Sequence, residues 1–102
     1  MPAAADARRA ADGVVQLSGT LGLDTVAALA ERGPELFAGC SSARVDLAGV
    51  ARADSAGLSL LLAWQRAALR DGCSLSFHHV PAALLAIADT CGVDAVLALA
   101  AD

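Results

Sequence analysis

The chain has 102 residues, 57% of them hydrophobic and 18% charged, with a net charge of −4. That suits one domain, excludes disorder, and needs no disulfide or metal to complete a core. Aromatic residues make up only 3% and the seven basic residues are scattered, so the stacking platforms and basic footprint of a nucleic-acid binder are missing.

Residues 1–12 read as a weakly structured segment or a poor edge strand turning at Asp12-Gly13, with the domain proper over 13–102. Met1 to Gly13 carries Arg8-Arg9 and lacks an apolar stretch, so no secretory signal is expected there. Gly13 to Gly19 is a β-branched run bounded by glycines, hence a strand. Asp24-Thr25 offers a helix cap. The apolar face of Val26, Leu29, Ala30, Leu36 and Phe37 is interrupted at Gly33-Pro34, which predicts one kinked helix or two short ones. Residues 43–47 alternate as a strand, with Val45 and Leu47 on one side and Arg44 and Asp46 on the other. A loop over 49–54 follows.

The best-signalled element is a helix from Ser55 to Arg70. Gly57, Leu60, Leu61, Trp64 and Ala68 form one face, while Ser59, Ala63, Arg66 and Arg70 form another. Trp64 reads as core, although a lone Trp can also anchor an interface. Asp71-Gly72 stops this helix. Cys73 to Phe77 alternates again, with Leu75 and Phe77 inward. Pro81 opens a last helix whose apolar face is Leu84, Leu85, Ile87 and Ala88. Cys91-Gly92 closes it, and 93–99 is a short strand or helical turn. Strands alternating with helices predict an α/β domain with a mixed or largely parallel sheet and crossover helices.

His78 and His79 are adjacent at a strand end and point to opposite faces, so they cannot chelate one ion together. Ser55 lies in Ala53-Asp54-Ser55-Ala56-Gly57, which lacks the first glycine of a nucleophile elbow. There is no glycine-rich phosphate loop. Cys40, Cys73 and Cys91 are odd in number and widely spaced. They read as small apolar residues in a reducing compartment, none with a basic partner at a helix start. No apolar run is long enough to span a membrane. Neither an enzyme nor a cofactor or metal site is expected, and the location expected is cytoplasmic.

What remains is the turn at Asp54-Ser55-Ala56-Gly57. Either Asp54 or Ser55 can cap the helix that starts there. If Asp54 caps, the Ser55 hydroxyl is free to meet a partner. A glycine in the first turn costs up to about 1 kcal/mol against alanine, so Gly57 points to close packing or close approach of another backbone.

The strand Val45-Asp46-Leu47, followed by Asp54-Ser55-Ala56-Gly57-Leu58-Ser59-Leu60-Leu61 and then Gly72 with a short strand, resembles the STAS domain family. The resemblance covers about residues 14–99. It implies a four- to five-stranded mixed sheet with helices packed mainly on one face. It also implies a binding role in one of two branches. The triple leucine 60–62 and Ser18-Gly19-Thr20-Leu21 are similar to the STAS subunit of the bacterial Mla phospholipid-transport ABC complex, which maintains outer-membrane lipid asymmetry. That branch implies an ATPase subunit as partner and membrane association only through the complex. The other branch, the anti-sigma factor antagonists, implies phosphorylation of Ser55 by an anti-sigma factor kinase. Either way the implied partner-binding residues are Asp54, Ser55, Gly57, Ser59, Leu62 and Arg66.

Overall fold

A computed structural model describes residues 4–10 and 13–100. Two strands, β1 (Ala5–Arg9) and β2 (Val14–Leu21), pair antiparallel with Ala7 opposite Leu17. Two short helices follow, α1 (Leu23–Glu31) and α2 (Gly33–Leu36). Then come β3 (Ser42–Ala53), α3 (Ser55–Arg70), β4 (Ser74–His78) and α4 (Ala82–Thr90). The sheet order is β1-β2-β3-β4, and the β2–β3 and β3–β4 pairs are parallel. The chain is thus an α/β domain with a four-stranded mixed sheet.

The alternation seen in the sequence places Val15, Leu17, Val45, Leu47, Leu75 and Phe77 under the helices, all buried. From the helices come Leu29, Leu36, Leu60, Leu61, Trp64, Leu84 and Ala88. Trp64 is core: it is 1% exposed, its indole N–H donates to the Leu29 carbonyl at 3.0 Å, and Phe37 meets its ring edge-on at 5.4 Å. Among the described residues no buried side-chain nitrogen or oxygen lacks a partner, as a well-formed interior requires.

Several local expectations are decided between their alternatives, and others change. The segment Ala5–Arg9 lacks β-formers, yet it is a strand, because β2 supplies a pairing edge and Ala7 fits beneath the helices. A β-carbon on Gly19 would stand 2.1 Å from the Ala4 carbonyl oxygen, and Gly19 has φ +90°; only glycine lets β1 pass here. The turn expected at Asp12-Gly13 falls partly on Asp12, outside the described residues. The cap of α1 is Gly22 rather than Asp24-Thr25. Thr25 serves as the third residue of the helix, where its hydroxyl accepts from the Gly22 N–H at 3.0 Å. The interruption at Gly33-Pro34 separates two helices because Pro34 falls in the first turn of α2, where a missing N–H costs nothing. Leu85 is 41% exposed and does not share the inward face of Leu84 and Ala88. Residues 93–99 are turns ending in a single bridge from Leu99 to Phe77.

The largest difference is at residues 49–54. This stretch is no loop: β3 runs on to Ala53, still paired with β2 through Leu21. Two register shifts, between Gln16 and Ser18 and between Gly19 and Thr20, break the apolar alternation without breaking the pairing.

Candidate functional site: the start of helix α3

Because β3 stays paired to its last residue, the start of α3 is anchored to two strands. The Asp54 N–H donates to the Leu21 carbonyl at 3.1 Å. The Asp54 backbone is extended, and its Oδ1 accepts the Ala56 N–H at 2.8 Å. Asp54 is therefore the cap, and Ser55 becomes the first helical residue, exposed. Its side chain makes no hydrogen bond among the described residues. Its carbonyl accepts the Ser59 hydroxyl at 3.3 Å, a weak back-bond one turn on.

The remaining expected residues separate. Ser59 and Arg66 are exposed on the same side of α3 as Ser55, spaced four and seven residues apart. Leu62 is half-buried and packs against the core. Gly57 faces inward and is buried. A β-carbon there would stand 3.1 Å from that of Leu21 and 3.4 Å from that of Ala53. The close approach that the glycine allows is to the chain's own strands, not to another molecule.

A neighbouring element escaped the sequence reading. Gly22, at the start of α1, lies beside the start of α3; a β-carbon on it would be 3.6 Å from Asp54 Oδ2. Two helix starts thus converge at the carboxyl ends of the parallel strands β2 and β3. Leu23, the first residue of α1, projects from this corner 86% exposed. A shallow hollow of about 280 Å³ adjoins it, lined by Thr20, Leu21, Arg52, Ala53 and Asp54. The parallel β2–β3 pairing is the signal that brings these turns together, since in such sheets both following helices start at one end. It was not readable while residues 49–54 looked like a loop.

The two histidines diverge. His78 meets the Ser76 hydroxyl through Nε2 at 2.9 Å, while His79 turns its Nδ1 to Asp46 Oδ1 at 3.0 Å. Among the described residues no group of three His, Cys, Asp or Glu side chains is placed to hold a metal ion. No described helix is long and apolar enough to cross a membrane.

A family model described as "Mlab, STAS domain" matches residues 4–99. The chain belongs to the STAS domain family. A crystal structure of an anti-sigma factor antagonist from Mycobacterium paratuberculosis is similar in fold, with a TM-score of 0.75 at 22% identity. The match covers 99% of this chain and 87% of that one. No curated protein matches the chain. STAS domains generally act through protein–protein contacts rather than as enzymes.

Proposed function

We propose that this STAS domain is a cytoplasmic, non-enzymatic accessory subunit of a bacterial phospholipid-transport ABC system. It docks on the ATPase subunit through Ser55 and the exposed side of α3 that Ser59 and Arg66 continue. The observation that carries this reading is the division of labour at the turn. Asp54 alone caps the helix, so the exposed Ser55 hydroxyl has no structural task and is available to a partner. The family model with its Mla-type description supports the branch. Leu62 contributes from the margin of this surface, being half-buried.

The test is co-purification with the ATPase subunit of a phospholipid-transport ABC system from the same cell. Ser55→Glu and Arg66→Glu should each abolish the complex while the variants remain folded by circular dichroism. Retention of the complex by both variants would remove the site. Leu62→Asp is a weaker probe because it also disturbs the core.

A second reading is an anti-sigma factor antagonist. Ser55 is exposed at the amino end of a 16-residue helix, where the backbone dipole and unpaired N–H groups favour a phosphate. Incubation with ATP and an anti-sigma factor kinase would then place one phosphate on Ser55, an outcome that decides against the transport reading.

A further inference from the structure

At the other end of β3, away from Ser55, two thiols share one hollow. Cys40 precedes the start of β3 and Cys73 precedes the start of β4. The two strands are in register from Ser42 opposite Ser74, and the Ser74 N–H donates to the Ser41 carbonyl at 3.0 Å. Cys73 therefore stands across from Ser41, one residue of stagger from Cys40. A disulfide needs α-carbons within about 7 Å and side chains that face each other; both cysteines lie just before their strands, outside the regular alternation of the sheet, and face one space. Both cysteines line a hollow of about 190 Å³, together with Gly33, Phe37, Ala68 and Asp71.

The two sulfurs differ in surroundings. Cys73 is 2% exposed, whereas Cys40 is half-buried at the rim. Arg9, reaching over from β1, donates through Nη1 to the Ala38 carbonyl at 2.8 Å and places Nη2 3.3 Å from Cys40 Sγ. Cys40 thus has the basic partner that its sequence neighbours did not suggest. Burial first, and then the nearby Cys40, push the Cys73 thiol above its ordinary range.

We propose that Cys40 and Cys73 form a hydroperoxide-sensitive thiol pair in which Cys40 is oxidised first and Cys73 resolves it to an intramolecular disulfide. Cys40 sulfur attacks one peroxide oxygen; the O–O bond breaks, Cys40 becomes a sulfenic acid, and water or an alcohol leaves. The guanidinium of Arg9 holds the negative charge on the sulfur during attack. Cys73 sulfur then attacks Cys40 sulfur, and the hydroxyl departs with the Cys73 proton as a second water. The peroxide is reduced and the two thiols are oxidised by two electrons in total. The bond ties the end of α3 to the turn after α2, at the opposite end of α3 from Ser55.

The test uses the full chain carrying Cys91→Ser, which removes the exposed third thiol. After hydrogen peroxide, peptide mapping should show the Cys40 and Cys73 peptides joined within one molecule, and the thermal midpoint should rise. With Cys73→Ser added, Cys40 should accumulate as a dimedone-reactive sulfenic acid. Arg9→Gln should slow Cys40 oxidation several-fold in the folded protein and leave it unchanged in denaturant. The proposal is overturned if both thiols still alkylate fully after peroxide, or if cross-linking occurs only between molecules. Equal rates for Arg9→Gln and the parent would remove Arg9 from the mechanism.

Discussion

A β-carbon added to Gly57 would lie 3.1 Å from that of Leu21, a side chain fully buried at the end of β2. The contact fixes how closely α3 can sit on the strands that present its first turn. Leu21 cannot swing away, because the clash is at its β-carbon and its backbone is paired with Ala53.

Gly57→Ala should therefore destabilise the domain although alanine is the better helix former. The helical gain is at most about 1 kcal/mol, and overpacking costs about 1–3 kcal/mol. We expect a net loss of about 1 kcal/mol in urea denaturation, and a larger one for Gly57→Val. An alanine variant as stable as the parent would show that the strand ends yield.

Asp54 and Ser55, which open the same turn, should behave oppositely. Asp54→Ala removes the acceptor of the Ala56 N–H and should cost about 1 kcal/mol, while Asp54→Asn keeps most of the cap. Ser55→Ala should stay within about 0.5 kcal/mol of the parent. Equal losses at both positions would mean that the Ser55 hydroxyl has a structural task and is not reserved for a partner.

Asp46 supplies an acid-sensitive contact on the open face of the sheet. Its carboxylate accepts the Ala48 N–H at 2.9 Å and meets His79. The Ala48 bond, and secondarily His79, hold it below the usual carboxylate range against a smaller opposing effect of burial. In the window between that lowered value and the ordinary one near 3.8, the unfolded chain binds more protons than the folded one. The stabilisation is thus complete above the ordinary value and disappears as pH falls through the lowered one. Thermal midpoints measured from pH 6 downward should fall more steeply below about pH 4 for the parent than for Asp46→Asn. Parallel curves would show that the contact carries no net stability.

Much of the fold was legible because it is written in short-range periodicity. The helix Ser55–Arg70 has the bounds that its pattern and its Asp71-Gly72 stop predict. Val45, Leu47, Leu75 and Phe77 face inward as their alternation requires. Where local signals conflict with pairing, pairing prevails. Ala5–Arg9 has poor strand chemistry and forms β1 because β2 lies alongside. Residues 49–53 lose their alternation at the shifted register with β2 and still continue β3.

The candidate turn divides in the same way. Sequence alone determined its existence, its capping chemistry and its likeness to the STAS domain family, since an aspartate, a serine and a small residue opening a leucine-rich helix are local features. Tertiary structure decided which residue caps, that Gly57 serves the interior, that Leu62 is partly core, and that Leu23 stands beside Ser55's turn. It also brought Arg9 and Cys73 to Cys40 from 31 residues before and 33 residues after in the chain. These outcomes depend on which strands pair and in what register, a choice made by burial across the whole chain that no short window of residues encodes.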